Sequence, residues 1–216
     1  EALLDGPPQV VAMDRDVDIV FDRLEREKPE GRILYQFRPY DEVADEIVAF
    51  FADRLEVWLR DRGQRHDLVA AVFALGDDDL VRIVARVNAL DVFLKTEDGA
   101  NLLAGYKRAV NILKAEEKKG PLPTGAPVRM ASSSPEELAL IQAVSDLDAR
   151  LDAALDAEDF AGAMRLLASL RAPVDAFFDK VLVNSTVSEE RENRLRLLAK
   201  VRDAMGQVAD FAQVTG

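Results

Sequence analysis

The sequence has no cysteine and a single histidine, His66. The first absence excludes disulfides, thiolate metal sites, iron–sulfur clusters and cysteine nucleophiles. The second excludes every centre that needs two imidazoles, including the zincin pattern and the His-rich phosphohydrolase centres of which His66-Asp67 is a fragment. A Ser–His–Asp triad needs only one histidine, but there is no Gly-x-Ser-x-Gly turn to carry the serine. Glycine-rich phosphate loops of the dinucleotide and P-loop kinds are missing as well. No apolar run approaches the roughly 18–20 residues that span a bilayer. The chain opens Glu1-Ala2-Leu3-Leu4, with neither an initiator methionine nor the basic stretch of a signal peptide. A piece of a longer protein is therefore expected, with no catalytic centre and no metal site in it.

What is present is an ordinary globular balance. Hydrophobic residues make up 49% and charged residues 31% of 216 positions, enough for one large domain or two small ones. The 40 acidic residues outnumber the 28 basic ones and give a net charge of −12. That sign argues against non-specific grip on nucleic acid or an anionic membrane, while leaving room for a local basic patch.

Punctuation along the chain predicts an all-α protein. Pro7-Pro8, Pro29-Glu30-Gly31 and Arg38-Pro39 mark residues 1–40 as an arm or linker, with one short helix over Val17–Leu24. Three- and four-residue spacing of Val43, Ile47, Phe50, Phe51, Leu55 and Trp58 predicts a helix over Asp41–Arg62, stopped by Gly63. That face puts Trp58 in the core. Further helices are expected over Asp67–Leu75, over Leu80–Leu94 behind an acidic Asp77-Asp78-Asp79 start, and from Thr96 to about Lys119. Gly120-Pro121-Leu122-Pro123-Thr124-Gly125-Ala126-Pro127, extended by Ser132-Ser133-Ser134, is the strongest boundary. Beyond it, Ser134-Pro135-Glu136-Glu137 reads as a helix start. Helices follow near 135–157, 159–170, 173–183 (opened by Pro173) and 188–207. The expected organisation is an arm (1–40), a helical lobe (41–119), a Pro/Gly/Ser loop (120–134) and a second lobe (135–216), the two lobes forming one domain.

Several stretches carry a resemblance. They are Phe51-Ala52-Asp53-Arg54-Leu55 with Gly63-Gln64-Arg65-His66-Asp67-Leu68-Val69-Ala70-Ala71-Val72, Leu102-Leu103-Ala104-Gly105-Tyr106-Lys107-Arg108-Ala109-Val110-Asn111-Ile112-Leu113, and Leu170-Arg171-Ala172-Pro173-Val174-Asp175-Ala176-Phe177-Phe178-Asp179-Lys180. The last continues into Arg191-Glu192-Asn193-Arg194-Leu195 and Val208-Ala209-Asp210-Phe211. Together they resemble the C-terminal region of the bacterial glycyl-tRNA synthetase beta-subunit family, whose helical domain is named after an Asp-Ala-Leu-Arg tetrapeptide. That tetrapeptide is not intact here. The resemblance implies an anticodon-binding module for glycine tRNA, partnered by the alpha subunit in an α2β2 assembly, cytoplasmic and without a membrane. It also implies that ATP and glycine are used by the parent complex and that the fragment itself needs no cofactor. The alternative is a helical scaffold for subunit contacts, which an exposed apolar patch away from the basic windows would favour.

RNA loops are read by stacking on aromatic or Arg planes and by hydrogen bonds to base edges, which a few placed side chains can supply. Three windows stand out from the acidic background: 54–66, 106–119 and 191–202. The candidate RNA-binding residues are Arg54, Arg60, Arg65, Lys107, Arg108, Asn111, Arg191 and Arg194. Arg54, Arg191 and Arg194 lie along apolar stripes and so must find partners, either internal acids such as Asp179 or Asp67, or phosphate and base. Lys107, Asn111, Lys114 and Lys118 form a line with i, i+4, i+7, i+11 spacing, which reads as a solvated surface or a track for backbone phosphates. Tyr35, Phe37 and Tyr40 read as a staple for the arm or as a stacking platform.

Overall fold

The computed structural model describes residues 40–215. The expected Val17–Leu24 helix and the side chains of Tyr35, Phe37 and Tyr40 lie outside the described residues. Every regular element described is a helix: α1 (Tyr40–Asp61), α2 (His66–Phe73), α3 (Leu80–Leu94), α4 (Glu97–Glu117), α5 (Pro135–Asp156), α6 (Phe160–Ala168), α7 (Arg171–Lys180) and α8 (Ser188–Gly206). The chain divides between Arg54 and Leu55, so that α1 runs across the division.

Local chemistry accounts for most of the helix boundaries. Gly63 adopts φ +86°, a left-handed conformation that closes α1 at little steric cost. At the start of α3 the Asp79 carboxylate accepts from the amides of Val81 (2.9 Å) and Arg82 (3.0 Å). Thr96 accepts from the Gly99 amide at 3.0 Å, Ser134 from Glu137 at 3.2 Å, and Asp159 from Gly162 at 2.7 Å. In each case the side chain satisfies a donor that the first helical turn leaves over. α7 begins two residues before Pro173 and stops three residues short of 183. Pro173 falls in the first turn, where a missing amide costs nothing, and Val181 turns extended (φ −110°, ψ 121°).

In the second unit, Leu55–Gly216, one apolar core joins helices from both sides of the 120–134 loop. α4 packs on α3, α7 and α8, while α5 packs on α6, α7 and α8. Phe177, Phe211, Leu90, Leu102, Leu140 and Leu197 are fully buried, each contributing roughly 1.5–3 kcal/mol by removal from water. The residues after α8 also belong to this core: Phe211 and Val214 are buried, Phe211 lies 5.6 Å from Tyr106, and the Asp210 amide donates to the Ala71 carbonyl at 2.8 Å.

Gly105 sets the distance between α4 and α7. A Cβ built there would stand 2.7 Å from Val174 Cγ1, closer than any real contact, so the two helices meet where no side chain intervenes. Asp98 of α4 pairs with Arg171 of α7 at 3.0 Å at one end of this seam, and Arg108 reaches Phe178 further along.

Trp58 is 44% exposed, contrary to its expected core position. Leu55 and Leu59 take the inward places on α1, and Trp58 lies 100° round the helix from Leu59. Val43, Ile47, Phe50 and Phe51 are exposed too, so the stripe read from the sequence is the outer face of this helix.

Candidate nucleic-acid interface

The three basic windows meet different fates. In 191–202 every cation is engaged by a carboxylate. Arg191 pairs with Glu116, Arg196 with Glu192 (3.5 Å), Lys200 with Asp148 (3.7 Å) and Arg202 with Asp203 (2.7 Å). Arg194 is buried; its Nε donates to Glu137 at 3.1 Å, its Nη2 lies 3.2 Å from Glu190, and its Nη1 donates to the Leu182 carbonyl at 2.9 Å. Neither Arg191 nor Arg194 uses Asp179 or Asp67. The start of α8 lies against the end of α4 and the start of α5, which brings Glu116 and Glu137 to them from far along the chain. Asn193 completes this polar cluster: its amide nitrogen donates to Glu137 (3.2 Å) and to the Val128 carbonyl (2.9 Å), and its oxygen accepts from the Val128 amide (2.8 Å). Glu116 accepts from Lys119 at 2.8 Å and also from Arg191. The Lys119 hydrogen bond, opposed by burial and reinforced by Arg191, holds its carboxyl below the ordinary range.

In 54–66 the cations are held in three ways. Arg54 is exposed; it lies 3.4 Å from the Phe50 ring centroid and donates to the Phe50 carbonyl at 3.3 Å, with no ion pair among the described residues. Arg62 lies 3.9 Å over Trp58, and Arg60 stands 3.9 Å from Glu56 in an exposed pair. Arg65 is committed to structure: it donates to Asp67 at 2.6 and 3.1 Å and to the Thr215 carbonyl at 2.5 Å. Burial opposes ionisation of Asp67, but hydrogen bonds from Arg65 and from the Thr215 hydroxyl and amide outweigh it and hold the carboxyl well below its usual range.

The 106–119 window is different. Lys119 is tied to Glu116, but Lys107, Arg108, Lys114 and Lys118 form no ion pair among the described residues. At 100° per residue Lys107, Asn111, Lys114 and Lys118 lie within about 60° of one another, on a strip roughly 16 Å long. Ala104 and Ala115 flank it without charge, and Glu117, about 60° from Lys114 on the side away from Arg108, forms no ion pair with it among the described residues. Asn111, Lys114 and Lys118 are exposed, Lys107 half-buried, and the Asn111 amide has no partner among the described residues. Arg108 borders the strip on the α7 side, its guanidinium 4.4 Å over the Phe178 ring. A molecule of net charge −12 thus keeps one helix face of uncancelled positive charge.

Phe178 and the α4–α7 seam were not among the sequence candidates. Phe177-Phe178 held the clue, since neighbouring helical positions 100° apart cannot both point to the centre of a core. Phe177 is fully buried and Phe178 lies at the edge. The two cavities described offer less. One of 490 Å³ is lined by Asp77, Asp78, Arg82, Arg86 and Gln207, where Arg82 is matched by Asp77 at 2.5 Å. One of 220 Å³ lies between Lys119–Pro123 and the start of α8, where Glu116 takes up both cations. Among the described residues no group of His, Asp and Glu is arranged to hold a metal ion, and no helix is long and apolar enough to cross a membrane.

The family profile of the DALR anticodon binding domain matches residues 102–212, from the first turns of α4 to the segment after α8. Over 174 residues, 81% of this chain, the sequence is 76% identical to the glycine-tRNA ligase beta subunit of Phenylobacterium zucineum (strain HLK1). It is 52% identical over 177 residues to that of Rhodospirillum centenum (strain ATCC 51521 / SW), and 49% over 173 to that of Ruegeria sp. (strain TM1040), or 81% and 79% of the chain. The chain spans about a quarter of the length of these relatives: 26%, 25% and 25%.

Proposed function

The chain belongs to the DALR anticodon-binding domain family, and from that premise we propose that it is the part of a glycine-tRNA ligase beta subunit that holds the anticodon arm of glycine tRNA. Glycine activation with ATP and transfer to the tRNA fall to a separate alpha subunit, in a cytoplasmic α2β2 assembly. This piece contributes binding and no chemistry, and it uses no cofactor.

The observation that carries this reading is the outer face of α4. Among the described residues Lys107, Arg108, Lys114 and Lys118 have no carboxylate partner and share one stretch of helix with Asn111, whereas Arg54 and Arg62 lie on rings of their own helix. The three lysines, each neutralising one phosphate of a single-stranded loop, give a log affinity against log salt slope of about −2. Lys114→Glu with Lys118→Glu removes two of these contacts; binding to a glycine-tRNA anticodon arm then weakens at least tenfold and the slope falls by about 1.4. Fluorescence anisotropy at three salt concentrations reads both quantities. Unchanged affinity in the double variant would sink the assignment of this face.

A second reading has one observation in its favour. Ile47, Phe50 and Phe51 in the first unit, and Val57 and Trp58 in the second, are each about half exposed, apolar surface suited to contact within a larger synthetase. Phe51→Asp and Trp58→Asp in the full beta subunit separate the two roles, since they weaken assembly under this reading and leave arm binding by the isolated chain intact.

A further inference from the structure

Resting on the anticodon-arm reading, we propose that Arg108, laid on Phe178, and Asn111, one turn further along α4, form a seat for one unpaired base at the α4–α7 seam. The strip of lysines can hold a sugar–phosphate backbone, but a lysine ammonium is a point charge and presents no plane. Arg108 does present one. Its guanidinium is already parked 4.4 Å over the Phe178 ring, and the side chain is otherwise exposed. The ring beneath is fixed, 9% exposed and packed edge-on against Phe177 at 5.6 Å. Among the described residues no carboxylate comes within ion-pair distance of Arg108, and Asp175, the acid one turn before Asp179 on α7, lies 3.4 Å from Arg171. A guanidinium resting over a fixed ring has part of its ordering supplied before any ligand arrives, and its exposed side offers a stacking surface.

Asn111 supplies the edge. Its amide carries a donor and an acceptor side by side and has no partner among the described residues. A base stacked on Arg108 with its donor–acceptor edge toward Asn111 would satisfy both. Its phosphates would then fall toward Lys107 and Lys114, which stand on either side of Asn111 along the strip. The seat thus divides the face in two: lysines that track the backbone, and an arginine that takes the base despite its charge.

The test uses the full chain and a glycine-tRNA anticodon stem-loop in which each loop nucleotide in turn is made abasic. Wild-type protein is expected to lose about tenfold in affinity at one loop position. Arg108→Lys keeps the charge and loses the plane. It is expected to bind the intact loop about tenfold more weakly, to be indifferent to the abasic change at that position, and to keep the wild-type salt slope. Asn111→Ala should behave alike, and Phe178→Leu likewise where its melting curve stays within a few degrees of wild type. Arg108→Lys that binds as tightly as wild type, or that remains fully sensitive to every abasic change, overturns the seat while the anticodon-arm reading stands. A wild-type chain that binds no loop at low salt overturns both.

Discussion

Arg194 and Lys114 illustrate how one residue type of charge does two jobs. Arg194 is 8% exposed and meets Glu137, itself 1% exposed, so removing the guanidinium strands a carboxylate in the core. Breaking a buried pair on one side costs about 3–5 kcal/mol. Arg194→Ala should therefore shift the urea midpoint strongly, and Glu137→Gln should restore part of the loss because the stranded charge is gone. Lys114 is exposed and forms no ion pair among the described residues, and Lys114→Glu should move stability by no more than about 0.5 kcal/mol while weakening RNA binding. If Arg194→Ala left the unfolding curve in place, the reading of the Glu137–Asn193–Arg194 cluster as a structural tie would be wrong. The same contrast explains what the sequence conceals. Both residues lie in strongly basic windows, and window charge cannot register acids that approach from another helix. Glu137 is 57 positions from Arg194 and Glu116 is 75 from Arg191.

At the scale of the element, the α4–α7 seam depends on a missing side chain. Gly105→Ala places a methyl 2.7 Å from Val174 Cγ1, and Val174 is buried. Overpacking of this kind costs about 1–3 kcal/mol, set against a gain of roughly 1 kcal/mol in helix propensity. The net expectation is a modest loss of stability together with a shift of Arg108 relative to Phe178. Adding Val174→Ala should recover the contact, so the double variant should be more stable than the sum of the two single losses; simple additivity would show that the close approach carries no strain. Such pairings are invisible to periodicity, whereas the helices themselves were legible. Asp79, Thr96 and Ser134 announce their helix starts by chemistry confined to three or four neighbours, and the observed boundaries follow them closely. The face of α1 was misread because Val43, Ile47, Phe50, Phe51 and Trp58 make a stripe at helical spacing that is apolar yet outward. Spacing identifies a stripe, but it does not say whether the core, a ring-stacking arginine or another surface lies beneath it.

For the molecule as a whole, net charge and ion-pair geometry pull stability in opposite directions as the medium is acidified. At pH 7 the chain carries −12, and its sequence pI is near 4.7, so descent from pH 7 toward 5 relieves self-repulsion and should hold the melting temperature level or raise it slightly. Below that the sign reverses. Asp67, Asp77 and Glu116 all have folded-state carboxyls depressed below their unfolded values of 3.8, 3.8 and 4.5. Asp77 is lowered first by its hydrogen bond from Arg82 against opposing burial, with the Asp79 amide adding to it. A group depressed on folding contributes stability that is complete above its unfolded pKa and is lost as pH falls through that value toward the folded one. The unfolded chain takes up these protons first, so stability should drop steeply from about pH 4.5 downward. Asp67 matters most in this respect because one carboxylate joins Arg65 before α2 to Thr215 after α8, holding the last buried residues, Phe211 and Val214, over the core. Asp67→Asn should lower the melting temperature at pH 7 and flatten the acid limb, so that the gap between the two proteins begins to narrow as pH falls through 3.8. Parallel melting curves for the two proteins from pH 7 to pH 3 would place the origin of acid sensitivity elsewhere. Convergence would show that a single ionised side chain links the two ends of this unit.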